Sequence, residues 1–176
     1  KSHLLTIGEK LYSTSLDLIR ELVSNSYDAD ATRVDIEVNP EKITVADNGN
    51  GMNEKELRQY LTIGSQQKLT HPVSPRFSRK RIGEFGIGKF SVLTNAEYFS
   101  VETCKTESRF RAKLVFDSSQ WESDKNNWSI PCEILPYNPG LTNGTTITLE
   151  KLKKTLEPMH VARHIRERLP IGQNDF

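Results

Sequence analysis

The sequence predicts an α+β fold: a two-layer α/β sandwich with helices on one face of a mixed, mostly antiparallel sheet. Its length of 176 residues fits one domain with a real core. The predicted order is helix, two strands, helix, long loop, helix, four strands and a final helix. A doubly wound sheet would require a regular alternation of strands and helices, and this order lacks it.

Apolar residues recur three and four positions apart from about Gly8 to Tyr27, which predicts a helix with a broad buried face. Residues 34–38 alternate between apolar and acidic side chains and predict a half-buried strand. A second strand is predicted for residues 43–47. The turn at Asn39 and Pro40 joins the two strands into a hairpin.

Asn53 is predicted to cap a short helix through Tyr60, because Glu56 lies three residues further on. Residues from about 61 to 88 contain two prolines and a basic cluster. We interpret this stretch as a mobile surface loop that acts as an active-site lid. The elements predicted after it are a helix at 88–95, strands near 98–104, 109–116, 130–135 and 145–149, and a helix at about 158–169.

Charge and composition exclude few partners. Lys and Arg number 24 against 23 Asp and Glu, so the net charge does not require nucleic acid or an anionic membrane. Cys104 and Cys132 lack the spacing of a disulfide framework or a zinc site. No apolar run is long enough to cross a bilayer. We therefore expect a cytoplasmic protein without a membrane partner.

Glu21, Asn25 and Asp28 are spaced i, i+4 and i+7 on the first predicted helix. At about 100° per residue they fall within roughly 60° of one another, so they share one face. Such a face is usually just solvated. It can also supply a carboxylate and an amide oxygen to a ligand.

Asp47 ends the second predicted strand on the same side as the apolar residues of that strand. A carboxylate on a buried side needs a partner. It could accept backbone N–H groups from the Asn-Gly turn that follows, or it could accept from a ligand amino group. In the second case Gly49 and Gly51 would let the backbone approach a flat ring closely.

Gly83, Gly86 and Gly88 precede a predicted helix, where converging backbone amides form an anion site for phosphates. A P-loop is excluded because Phe90 stands where a Ser or Thr is required, and a dinucleotide fingerprint lacks its third glycine. Taken alone, these glycines could also be ordinary loop residues.

The segments combine in one order: Glu21 to Ala29, Asp47-Asn-Gly-Asn-Gly-Met52, Ile82-Gly-Glu-Phe-Gly-Ile-Gly-Lys-Phe-Ser91, and Gly144-Thr-Thr-Ile147. This set resembles the four ATP-binding motifs of the GHKL superfamily, which includes gyrase B, the heat-shock ATPase chaperone, histidine kinases and MutL, with MORC proteins related to it. The resemblance spans about residues 8–149 and implies the Bergerat-type fold of that family.

The resemblance implies a role for each matching residue, with ATP and Mg²⁺ as ligands. Glu21 would be the general base for the attacking water, and Asn25 would coordinate the magnesium, with Asp28 in support. Asp47 would accept from the adenine amino group. The remaining nucleotide contacts implied by the motifs are Gly49, Gly51, Met52, Gly83, Gly86, Ile87, Gly88 and Thr145.

Lys68 and Lys89 are candidate phosphate contacts in the manner of MORC-type relatives, with ordinary exposed lysines as the alternative. Hydrolytic members of the family bring a further cation from a second domain. We therefore expect residues 1–176 to be a single N-terminal ATP-binding domain of a longer protein. The basic residues from Lys151 to Arg168 could contact nucleic acid, a following domain or only water.

The leading functional prediction is magnesium-dependent ATP binding and slow hydrolysis, in which lid closure drives homodimerisation or movement of downstream domains. One alternative is a nucleotide-sensing module that binds ATP or ADP without turnover. A second alternative is the catalytic domain of a histidine kinase. The fold alone does not separate these functions.

Overall fold

The computed structural model describes residues 15–61, 72–83, 95–123, 130–169 and 176. Helix α1 spans Ser15–Asp28, strands β1 and β2 span Val34–Val38 and Lys42–Asp47, and helix α2 spans Glu54–Leu61. Further along the chain lie β3 (Ala96–Lys105), a 3₁₀ turn (Thr106–Ser108), β4 (Phe110–Asp117), α3 (Ser118–Ser123), β5 (Cys132–Ile134), β6 (Gly144–Leu152) and α4 (Pro158–Arg168).

The described strands form one sheet in the order β1-β2-β6-β3-β4-β5, and all their pairings are antiparallel. Strand β6 arrives from the far end of the chain and lies between β2 and β3. Its register pairs Thr145 with Asp47 on one side and with Thr103 on the other. The sheet therefore brings three polar residues together across its middle strands.

One face of the sheet carries the hydrophobic core. Alternate residues of β2, β3, β4 and β6 are buried there against apolar residues of α1 and α4. The helices contribute Leu18, Ile19, Leu22, Val161 and Ile165 to this layer. This arrangement confirms the predicted two-layer α/β sandwich.

The local elements follow the predicted signals. Residues 34–38 and 42–47 pair as an antiparallel hairpin. At the start of α2, the Asn53 side chain accepts from the Glu56 amide at 2.9 Å, and Glu56 accepts from the Asn53 amide at 2.8 Å. This reciprocal pair is the predicted capping box. Helix α4 begins with Pro158 at its first turn, as the sequence indicates.

The predicted lid is only partly described, over residues 72–83, and this part differs from an open surface loop. Ser74 and Arg79 are buried, with 1% and 3% of their surface exposed, and Val73 forms an isolated bridge with Lys80. The Arg79 guanidinium donates to the Ala31 carbonyl at 2.6 Å and lies over the Tyr27 ring. A basic residue is buried here because carbonyl groups and an aromatic face replace its water.

The predicted helix at 88–95 falls outside the described residues except for its last position. Among the helices that the structure describes, none has the length and apolar character needed to cross a membrane.

Candidate functional site

A cavity of about 630 Å³ opens between α1, the ends of β2 and β6, α2 and the segment 72–83. Its volume lies within the range of small-molecule sites. Of the predicted site residues, those that line it are Glu21, Asn25, Asp28, Asp47, Gly51, Met52 and Thr145.

The polar face of α1 forms one wall of this cavity. Glu21, Asn25 and Asp28 all line it, so the spacing in the sequence correctly predicted a shared face. Glu21 has only 2% of its surface exposed, Asp28 is also buried, and Asn25 is partly exposed. A solvated helix face would leave all three in water, so this alternative is wrong.

Both carboxylate oxygens of Asp28 accept hydrogen bonds from the backbone of the glycine-rich segment. The Ile82 amide donates to Oδ1 at 2.9 Å, and the Gly83 amide donates to Oδ2 at 3.2 Å. Asp28 therefore fixes the start of this segment against the end of α1. Gly83 itself stands beside the cavity-lining residues Asp28 and Arg81.

Asp47 lies where β2 leaves the sheet, and its carboxylate is held by three donors. Oδ1 accepts from the Gly49 amide at 2.9 Å and from the Thr145 amide at 3.2 Å, and Oδ2 accepts from the Ser26 hydroxyl at 3.0 Å. The turn interpretation is thus correct for Gly49. The hydrogen bond within the turn still leaves the carboxylate accessible to a ligand, because Asp47 also lines the cavity.

Burial raises the pKa of the Asp47 carboxyl, because removal from water disfavours the charged form. The hydrogen bonds from Gly49, Ser26 and Thr145 act in the opposite direction without cancelling this effect. Burial also raises the pKa of the Tyr60 hydroxyl on the cavity wall, and the carboxylates of Glu21 and Asp47 add to the increase. Tyr60 is therefore a neutral hydroxyl at physiological pH.

The turn after Asp47 requires glycine because backbone packs closely against it. Gly51 has a positive φ of 61°, and a Cβ there would lie 1.9 Å from the Cys104 carbonyl oxygen. A Cβ at Gly49 would lie 2.8 Å from the Ala29 carbonyl oxygen. Both glycines allow backbone to pack on backbone. Gly51 also lines the cavity, so the close approach of a flat ring there stays a prediction.

Met52 and Thr145 are joined by a residue that sequence reasoning missed. The buried Thr103 hydroxyl accepts from the Met52 amide at 2.9 Å and lies 3.2 Å from the Thr145 hydroxyl. Thr103 thus ties the turn that follows β2 to strands β3 and β6. Only the strand register, which the sequence does not reveal, brings these positions together.

Asp30 was also missed, although it organises the segment beside the cavity. Its carboxylate accepts from the Ser74 hydroxyl, from the Arg76 amide at 2.8 Å and from the Phe77 amide at 3.1 Å. Burial opposes ionisation, but these bonds and one from Asn50 lower the pKa of Asp30 overall. Asp30 lies two residues after the end of α1 with a positive φ of 61°, a conformation that Asp tolerates.

Further lining residues without a predicted role in the site include Tyr60, Lys105, Arg76 and Arg81. The Lys105 ammonium contacts both carboxylate oxygens of Glu56, at 2.9 and 2.8 Å. The predicted contacts Lys68, Gly86, Ile87, Gly88 and Lys89 lie outside the described residues, so their roles stay predictions.

The residues present fit a magnesium ion that is bound through its substrate. Within the described ranges, no group of three or more His, Cys, Asp or Glu side chains could hold a metal. Mg²⁺ in phosphoryl-transfer sites is held by one or two protein oxygens, phosphates and water. The Asn25 amide oxygen on the cavity wall is a donor of that kind.

Comparison with known proteins connects this geometry to a family. Residues 12–155 match the family model described as histidine kinase-, DNA gyrase B-, and HSP90-like ATPase. The chain belongs to this family of ATPases. The match covers most of the chain and includes every cavity-lining residue that the structure describes.

Relatives within the GHKL family are diverse. The chain is 27% identical to the chaperone HtpG of Psychrobacter arcticus over 201 residues, covering 99% of this chain and 26% of HtpG. It is 35% identical over 100 residues to HgiDII of Herpetosiphon aurantiacus, named as a type II restriction enzyme, covering 56% of this chain and 16% of that protein.

Among solved structures, the MutL ATPase domain of Aquifex aeolicus complexed with ADP has the same fold, with a TM-score of 0.53 and 17% identity. The superposition covers 89% of this chain and 53% of that one. The chain spans about a quarter or less of the length of the curated relatives named above.

Proposed function

We propose that this chain binds magnesium-ATP in the cavity between α1 and the sheet and hydrolyses it slowly. The observation that carries the proposal is the presence of Glu21, Asn25 and Asp47 on the walls of one cavity. Family membership supports the same ligand. In this proposal, lid closure over ATP drives homodimerisation or movement of downstream domains.

Asp47 is proposed to select adenine. An ionised carboxylate accepts from an exocyclic amino group and repels the carbonyl oxygen that guanine carries at that position. The donors Ser26, Gly49 and Thr145 hold the carboxylate in a fixed orientation beside the cavity. This preorganisation favours a purine that brings a donor, so ATP is preferred over GTP.

Glu21 and Asn25 are proposed to act at the phosphate groups of the nucleotide. Magnesium would supply charge neutralisation between the phosphate groups. The Asn25 amide oxygen would be its protein ligand, and the buried Glu21 carboxylate would orient and deprotonate the attacking water. Phosphoryl transfer depends mainly on positioning and electrostatics. The proposed roles agree with this, because Glu21 acts as a base, Asn25 binds magnesium, and neither forms a covalent intermediate.

Isothermal calorimetry tests the binding step. We expect wild-type protein to bind magnesium-ATP more tightly than magnesium-GTP, and Asp47→Asn to weaken ATP binding at least tenfold. Asp35→Asn is the matched control, because Asp35 is an exposed strand residue outside the cavity. Equal affinities for ATP and GTP, or unchanged binding by Asp47→Asn, would contradict the adenine-selecting role.

Phosphate release tests hydrolysis separately. The full-length protein should release phosphate, and Glu21→Ala should reduce the rate to background while ATP binding persists. Equal background rates in both proteins would reject hydrolysis. Magnesium-dependent binding without turnover would instead identify a nucleotide-sensing module.

A further inference from the structure

Arg81 differs from the other cations around the cavity. It lines the cavity and is partly exposed, yet its Nε atom is shielded from solvent. No atom of the described residues accepts a hydrogen bond from this Nε. A buried guanidinium nitrogen without an acceptor is costly, and a ligand that supplies the acceptor removes this cost.

Hydrogen bonds hold the backbone at Arg81 and at the two residues that follow it, and this fixes the position of the Arg81 Cα beside the cavity. The Arg81 amide donates to the Pro72 carbonyl at 3.1 Å. The next two amides, of Ile82 and Gly83, donate to Asp28. Asp28 lies less than one helical turn after Asn25, the residue proposed to coordinate magnesium.

Among the described cations of the cavity wall, Arg81 is the one with a buried side-chain donor that lacks an acceptor. The Lys105 ammonium is occupied by both oxygens of Glu56. The exposed Arg76 guanidinium lies over the Phe77 ring, 4.7 Å from its centroid. Arg81 forms no ion pair with a carboxylate of the described residues.

We propose that Arg81 binds the phosphate groups of the nucleotide. This inference rests on the proposed function and adds a residue to it. The planar guanidinium offers parallel N–H donors that match phosphate oxygens, and such charge-assisted bonds are stronger than neutral ones. The chain thereby carries its own phosphate-binding cation within the segment 72–83, in addition to any cation from a second domain.

The test compares Arg81→Ala, Arg81→Lys and the control Arg33→Ala in the full-length protein. Arg33 is an exposed arginine paired with Asp35, outside the cavity. Calorimetry with magnesium-ATP should give about a ten- to hundredfold weaker affinity for Arg81→Ala, the range expected for loss of hydrogen bonds to a charged group. Arg81→Lys should be intermediate, and Arg33→Ala should match wild type.

Thermal unfolding without nucleotide separates binding from folding. The midpoint of Arg81→Ala should be no lower than that of wild type, because the Arg81 Nε has no acceptor to lose among the described residues. ATP affinity within twofold of wild type would overturn the inference while leaving the proposed function intact. Lost affinity in both Arg81 variants, together with a lowered midpoint, would also overturn it, because it would indicate a structural role. If wild-type protein binds no ATP, the proposed function itself fails.

Discussion

Replacement of Gly51 by alanine tests how the turn beside the cavity is built. The residue has a positive φ of 61°, and the new Cβ would lie 1.9 Å from the Cys104 carbonyl oxygen and 2.8 Å from its carbon. Real Cβ atoms do not approach backbone atoms so closely, so the turn or β3 must move. The movement would disturb Met52, whose amide donates to Thr103.

The magnitude follows from two contributions. Left-handed backbone at a non-glycine residue costs about 1–2 kcal/mol. Forcing an extra carbon into packed structure adds about 1–3 kcal/mol. We therefore expect Gly51→Ala to lower the free energy of unfolding by about 3 kcal/mol, which corresponds to a Tm lower by about 6–12 °C for a domain of this size.

Urea unfolding followed by circular dichroism measures this change, with Gly140→Ala as the control. A Cβ at Gly140 meets no heavy atom within 4 Å, so that variant should be neutral or stabilised by up to about 1 kcal/mol. Gly51→Asn separates the two contributions, because asparagine tolerates positive φ but still carries a Cβ. If Gly51→Ala unfolds at the same midpoint as Gly140→Ala, the inferred backbone contact with Cys104 is wrong.

Three further predictions concern the polar contacts. Asp30→Asn should lower the free energy of unfolding by about 1–3 kcal/mol at pH 7. Because folding lowers the pKa of Asp30, this contribution is present above the unfolded pKa of about 3.9 and is lost as pH falls through the folded pKa. The urea midpoints of the wild-type and Asp30→Asn proteins should therefore converge on acidification. Arg79→Met should increase proteolysis within residues 72–83, because it removes the bond to the Ala31 carbonyl; cleavage at the wild-type rate would contradict this. Glu56→Ala should cost about 1 kcal/mol in unfolding experiments, because it removes half of the capping box and the partner of Lys105, whereas the exposed control Glu54→Ala should cost less.

Most of the fold could be predicted because its signals are local. Each signal depends on residues that are close together in the sequence. These signals are the helical spacing that leads into α1, the alternation in residues 34–38 and the Asn53–Glu56 cap. The polar face of Glu21, Asn25 and Asp28 is equally local, and the structure confirms that these residues line one cavity. The sequence also indicated that Asp47 would sit beside it.

The contacts that shape the site could not be predicted, because they join distant parts of the chain. Asp30 accepts from Ser74, 44 residues away, and Thr103 meets Thr145 only through the register of β3 and β6. Arg79 belongs to a basic cluster that suggested solvent exposure, and it is buried because carbonyls of distant residues accept its hydrogen bonds. Polar burial of this kind leaves no periodic pattern in a sequence.

A crystal structure with magnesium and a nonhydrolysable ATP analogue tests the central claim most directly. The account predicts adenine beside Asp47 and Thr145, with the phosphates near Asn25 and Arg81. Nucleotide bound elsewhere on the protein, or an empty cavity at saturating analogue, would contradict it.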